Sequence, residues 1–159
     1  MNFSNILVSL IIFSLYCFIC LADNDPEDYL DAHNEAREEV GVGPLEWSDT
    51  LAEYAETYAQ TRIEHCIMEH SGGPYGENIS EASDTEMDAE VGVKMWVDEK
   101  INYNHETNEC ENGECLHYTQ VVWKNTTHVG CARVNCLSGW TFITCNYDPP
   151  GNYVGLKPY

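Results

Sequence analysis

The placement of cysteines constrains this 159-residue chain more than any other feature. Of its eight cysteines, Cys17 and Cys20 lie in an uncharged apolar leader, and Cys66, Cys110, Cys115, Cys131, Cys136 and Cys145 lie beyond it. Residues Met1 to Ala22 read as a secretory signal: an apolar run around Ile6 to Ile19, then Cys20-Leu21-Ala22 with small residues where a signal peptidase reads. The expected mature chain is therefore residues 23–159, a single domain. Six cysteines in an exported chain imply three disulfides, and fifteen pairings are open. Only Cys110 and Cys115 are drawn together by proximity, around Glu111-Asn112-Gly113-Glu114. With no apolar tail or retention signal in view, the expected destination is extracellular, the apoplast in a plant. Asn78-Ile79-Ser80 and Asn125-Thr126-Thr127 are glycosylation acceptors and fit that destination.

Charge narrows the partners. Seven Lys and Arg stand against 27 Asp and Glu, for a formal net charge of -20. Phosphate neutralisation needs clustered cationic side chains, so nucleic acid is excluded as a partner, and adhesion to anionic lipid is disfavoured. The same field keeps the protein soluble, is consistent with a monomer, and concentrates divalent cations near the surface.

The first helix is predicted from Asp25-Pro26, followed by Glu27 and Asp28: a capping side chain, proline at the first helical position and acids at the positive end of the helix dipole. Tyr29, His33, Ala36 and Val40 share one face, Gly41 ends the run, and His33 reads as a hydrogen-bonded core histidine. A turn at Gly43-Pro44 delivers Trp47. A second helix follows from Ser48-Asp49, with Leu51, Tyr54, Ala55, Tyr58, Ala59 and Arg62 on its inner face, giving out around Cys66. Between His70 and Glu77, three glycines and one proline bend the chain tightly. Ser83-Asp84-Thr85-Glu86 fits a capping box, and the third helix after it is expected to bury Val91, Met95 and Trp96, with Glu99 in line behind them.

Residues 116–125 are predicted as one or two helical turns leading into a strand, with Tyr118, Val121, Val122 and Trp123 packed inside. His128–Val134 and Trp140–Tyr147 then read as strands around a turn at Leu137-Ser138-Gly139, before a tail too rich in Pro and Gly for a helix or central strand.

Leu116-His-Tyr-Thr-Gln-Val-Val-Trp-Lys-Asn-Thr126 and Cys145-Asn-Tyr-Asp-Pro-Pro-Gly-Asn-Tyr153 resemble the two signatures of the cysteine-rich secretory, antigen 5 and pathogenesis-related superfamily. His70-Ser-Gly-Gly-Pro-Tyr-Gly-Glu-Asn78, Trp96-Val-Asp-Glu99 and the six cysteines are similar to its plant pathogenesis-related class 1 branch, over nearly the whole mature chain. The resemblance implies an α+β fold, a three-layer α-β-α sandwich with a central antiparallel sheet, and pairings Cys66–Cys136, Cys110–Cys115 and Cys131–Cys145. It also implies that His70, Glu77, Glu99 and His117 converge in a cleft. Two imidazoles and two carboxylates suit zinc, magnesium or calcium, zinc being favoured by the imidazoles. The same four groups would also satisfy one another by hydrogen bonds and pin loop, helix and sheet together.

Three features depart from the resemblance: Leu116 stands where many members have glycine, His105 where plant relatives often have an aromatic residue, and the chain is far more acidic than several antifungal relatives. The function it implies is a secreted, defence-related, antimicrobial protein acting by binding, with sterol or another lipid of a pathogen membrane as ligand, no catalytic residue and no required cofactor. A groove for that ligand is expected near the Tyr103–Cys115 loop. Two alternatives remain. In one, the chain is the precursor of a C-terminal signalling peptide, Pro149–Tyr159. In the other it is a metal-dependent hydrolase, with His70 and His117 as ligands and Glu77 or Glu99 as base. Neither a His-Glu-x-x-His helix nor a Gly-x-Ser-x-Gly elbow is present to support the hydrolase.

Overall fold

The fold was analysed in a computed structural model that describes residues 25–83 and 87–159. The secretory signal expected at residues 1–22 and the acidic residues of the capping box at 84–86 lie outside the described residues.

Helix α1 (Pro26–Glu39) starts as its sequence dictates. Asp25 accepts the backbone N–H of Glu27, and Asp28 reaches back to the N–H of Asp25. Its inner face buries Tyr29, His33, Ala36 and, unexpectedly, Arg37. A two-residue strand β1 (Glu46–Trp47) follows, and its Trp47 stacks on Tyr29 at 6.0 Å. Ser48 caps α2 (Asp49–Gln60). Strand β2 (Gly76–Ala82) leads to α3 (Ala89–Val97), a 3-10 segment (Asp98–Asn102) and a small ribbon of β3 (Tyr103–Asn104) and β4 (Glu109–Cys110). Helix α4 (Leu116–Val121) precedes β5 (His128–Asn135) and β6 (Thr141–Asp148). None of the described helices is long and apolar enough to cross a membrane.

The sheet runs in the order β1-β5-β6-β2. Strands β5, β6 and β2 are antiparallel, but β1 pairs with β5 in parallel, so the sheet is mixed and not wholly antiparallel as expected. The reason is local: β1 reaches the edge of β5 directly from the Gly43-Pro44 turn and is not joined to it by a hairpin.

Side chains alternate across the sheet. Val129, Cys131, Ile143, Cys145 and Tyr147 face a core shared with Tyr29, Val93, Trp96, Tyr118 and Val121 of the helices α1, α3 and α4. Ile79, Ala132, Val134 and Phe142 face Ala55 and Ala59 of α2 on the other side. Two helical layers thus enclose one sheet, the expected three-layer sandwich. Gly130 makes the α2 layer possible: a Cβ there would lie 2.2 Å from the backbone nitrogen of Ala52.

The three disulfides pair as the resemblance implied: Cys66–Cys136, Cys110–Cys115 and Cys131–Cys145. The first ties the end of α2 to the β5–β6 turn, and the third joins directly opposed residues of β5 and β6.

Helix α3 corrects the sequence reading. It begins at Ala89, capped by Asp88, and its buried face is Ala89, Gly92, Val93 and Trp96, whereas Val91 and Met95 are 48% and 43% exposed. Trp96 is buried as expected, but Val91 and Met95 are not. The helix instead approaches through its small residues, and Gly92 lies so close to the Ile143 side chain that a Cβ would meet it at 2.6 Å.

The tail beyond Asp148 forms no helix or strand, as its composition predicts, yet it is tied down along its length. Gly151 N–H donates to Gln120 Oε1, the Asn152 side chain donates to the carbonyl of Leu116, and Lys124 N–H donates to the carbonyl of Pro158. At its end, Tyr159 stacks on His105 with ring centroids 4.6 Å apart.

Candidate functional site

Of the four residues singled out by sequence, the structure orders two pairs. The glycine-rich bend after His70 turns the chain back so that His70 Nδ1 lies 2.7 Å from Glu77 Oε1, at the start of β2. The 3-10 segment after α3 places Glu99 beside the first turn of α4, with His117 Nδ1 2.6 Å from Glu99 Oε1. The two pairs are joined through the residue next to Glu77: Asn78 donates from its side chain to the backbone carbonyl of His117. Among the described residues, no three His, Cys, Asp or Glu side chains are arranged as a metal-binding set.

Each carboxylate is held on both oxygens. Glu77 Oε1 also accepts the N–H of Ser71, and its Oε2 accepts the Asn146 side chain. Glu99 Oε2 accepts the N–H groups of His117 and Tyr118, the otherwise unpaired donors at the start of α4. Since each carboxylate engages a ring Nδ1, the Nε2 of each ring is left out of the pair. That is the way a carboxylate orients a histidine toward a cation. Neither Nε2 makes a hydrogen bond with a described residue.

His33 is built differently, and the sequence placed it correctly in the core. Its Nδ1–H donates to the carbonyl of Tyr29 at 2.7 Å, which leaves Nε2 to accept the Tyr147 hydroxyl at 2.8 Å. Burial pushes its pKa down to about 4, opposed by the bond to Tyr29 and reinforced by the nearby Arg37 charge. Tyr147 accepts in turn from Asn78, so one chain of hydrogen bonds runs from α1 through β6 and β2 to the backbone of His117. Burial also holds the Tyr147 hydroxyl well above its ordinary pKa.

Arg37 was missed by the sequence reading. It is 1% exposed and donates to the carbonyls of Gly43, Val121, Trp123 and Thr126, anchoring α1 to the segment after α4. Its position next to Ala36 on the inner face was the available signal.

The two glycosylation acceptors fare differently. Asn78 is 2% exposed with its side-chain amide committed to His117 and Tyr147, whereas Asn125 lies exposed in the turn after α4.

Two concave regions meet at Ile101, which is 89% exposed. A depression of about 310 Å³ lies along the Tyr103 ribbon, lined mainly by polar residues of 101–106 and 111–112. A larger groove of about 660 Å³ runs on the other side of Ile101, between α1 and the α3–3-10 segment. It is lined by Ala32, Ala36, Ala89, Val97 and the exposed Ile101, and by acids that include Asp28, Asp31, Glu35, Asp88 and Glu90. The two lysines of the lining are engaged: Lys94 pairs with Asp98 at 2.6 Å, and Lys100 pairs with Glu39. The depression near the Tyr103–Cys115 loop, where a groove is expected, is therefore the smaller of the two, and both expose polar and apolar surface in similar proportion.

Comparison with known proteins agrees with this architecture. The model of the "CAP: Cysteine-rich secretory protein family" matches residues 30–147. The chain is 51% identical over 156 residues to the basic form of pathogenesis-related protein 1 of Nicotiana tabacum, covering 98% of this chain and 88% of that one. It is 55% identical over 134 residues to pathogenesis-related protein 1A1 of Solanum lycopersicum, covering 84% and 76%. In three dimensions it is similar to venom allergen-like protein 4 of Schistosoma mansoni, with a TM-score of 0.68 and 29% identity over 87% of this chain and 95% of that one. The chain belongs to the cysteine-rich secretory protein family and is a defence-related member of the pathogenesis-related class 1 kind.

Proposed function

We propose that this protein is exported and acts by binding, taking a neutral sterol or similar uncharged lipid of a pathogen membrane into the groove between α1 and α3. The observation that supports this most directly is the groove itself. About 660 Å³ falls within the range of about 300–1,000 Å³ typical of small-molecule sites, and the Ala32, Val97 and Ile101 side chains in its lining offer apolar contact. The acids of the lining repel carboxylate and phosphate headgroups, while a sterol brings a single hydroxyl that those carboxylates accept from. Removing such a lipid from a membrane would account for an antimicrobial effect without turnover.

The His–Glu pairs fit a divalent cation as an accessory. His70 and His117 would hold it through Nε2, with water completing its coordination, and zinc is the cation that two imidazoles favour. Glu77 and Glu99, committed on both oxygens, orient the rings and are poorly placed to serve as the general base of a hydrolase.

The test is lipid analysis of the disulfide-intact protein secreted from sterol-containing cells. Sterol co-purifying with the wild type and depleted in Ala32→Trp, which fills the groove, is the expected result. Protein free of sterol, or equal sterol in both, would overturn the proposal.

A further inference from the structure

We infer that Asn125 is a carrier of an N-linked glycan and that Asn78, which has an equally valid sequence motif, is barred from carrying one. The inference rests on export of the chain and goes beyond it by assigning a modification site. Both Asn78-Ile79-Ser80 and Asn125-Thr126-Thr127 satisfy the acceptor pattern. Sequence alone cannot separate them, and the fold does.

A glycan replaces one hydrogen of the asparagine amide with a bulky, fully hydrated group. At Asn78 that amide is enclosed: the residue is 2% exposed, and its Nδ2 donates to the carbonyl of His117 at 3.0 Å and to the Tyr147 hydroxyl at 3.2 Å. A sugar there would take up a donor on which the joint between β2, β6 and α4 depends and would have to occupy the packed core. Any copy modified at Asn78 is therefore unable to reach this fold.

At Asn125 nothing stands in the way. The side chain is exposed in a turn, and it makes no hydrogen bond with any other described residue. The required hydroxyl residue two positions on, Thr127, is exposed as well. In the transfer, Asn125 Nδ2 bonds to C1 of the first sugar of a lipid-pyrophosphate-linked oligosaccharide. The C1–oxygen bond to the carrier breaks, the lipid pyrophosphate leaves with the electron pair, and the amide loses one proton. Beside the site, Lys124 N–H holds the carbonyl of Pro158, so the glycan would stand over the docking point of the C-terminal tail.

The test is to express the full chain in a eukaryotic secretory host and compare the medium with and without an N-glycan-removing amidase. Electrophoretic mobility and peptide mass spectrometry are the readouts. The wild type should shift, and the Asn-to-Asp conversion left by the amidase should fall at residue 125 only. Asn125→Gln should be secreted and show no shift. Ser80→Ala should shift as fully as the wild type; it removes the Asn78 motif while sparing the amide, and the hydroxyl it deletes is buried without a partner. Secreted wild type without a glycan, a shift surviving in Asn125→Gln, loss of the shift in Ser80→Ala, or conversion at residue 78 would each overturn the inference. A chain that never reaches the medium would instead count against export.

Discussion

The groove between α1 and α3 and the two His–Glu pairs solve opposite problems, and the 3-10 segment serves both the groove and the Glu99–His117 pair. Glu99 leaves that segment to hold α4, while Ile101, two residues later, borders the groove. In the polar region each carboxylate oxygen already has a protein donor, so little is left for a ligand beyond the Nε2 atoms of His70 and His117. In the groove, the apolar side chains of Ala32, Val97 and Ile101 are at most partly covered by the protein. On the proposed reading, the polar cluster chiefly stabilises the fold and the groove chiefly recognises ligand.

The largest expected effect concerns the histidine most completely enclosed by the protein. Burial lowers the folded-state pKa of His33 to about 4 from its ordinary 6.5, so between these values the unfolded chain binds the extra proton. Stability from this group is therefore fully present above the ordinary value and falls as pH drops toward the folded one, by about 3 kcal/mol in all. Urea unfolding at neutral and at mildly acidic pH should show a steeper loss for the wild type than for His33→Gln. Equal slopes would show that His33 is not held neutral.

Zinc probes the polar region next. At a free concentration about 100-fold above its dissociation constant, bound zinc should stabilise the wild type by about 2.7 kcal/mol. The His70→Ala, His117→Ala double variant should lose that shift in thermal unfolding, while sterol binding stays unchanged. A shift that survives would place the cation elsewhere.

Glu99→Ala separates holding from binding. It strips the acceptor from the N–H groups of His117 and Tyr118 and from the His117 ring, and should cost about 2 kcal/mol of stability in denaturant unfolding. If sterol affinity fell as sharply as stability, the two regions would not be the separate devices described above.

The smallest effect is on affinity alone. Ala32→Trp, at a half-buried position in the groove lining, should weaken sterol binding about tenfold, or about 1.4 kcal/mol, and leave unfolding nearly unchanged. Equilibrium binding and thermal unfolding measured on one preparation decide it.

Much of this was legible in the sequence because local chemistry agreed with the fold. Capping at Asp25 and Ser48, the alternation of β5 and β6, and the spacing that put His33 in the core all follow from short-range rules. Long motifs placed the disulfides, which spacing alone left open. The failures arose where tertiary packing overrides side-chain size. Gly92 and Ala89, not Val91 and Met95, make the buried face of α3, because a close helix–sheet approach needs small residues. The larger groove was not anticipated, because its lining comes from α1 and α3, helices distant in sequence, which no local pattern marks. Arg37 escaped notice because its partners are backbone carbonyls, invisible to any pairing rule based on side chains.

The most direct test of the account is an equilibrium titration of the disulfide-intact protein with a labelled neutral sterol, run beside a long-chain fatty acid anion. The account predicts saturable sterol binding that is weakened in Ala32→Trp and preserved in the His70→Ala, His117→Ala variant, with the anion bound far less tightly. Absence of saturable sterol binding, or binding untouched by Ala32→Trp, would contradict it.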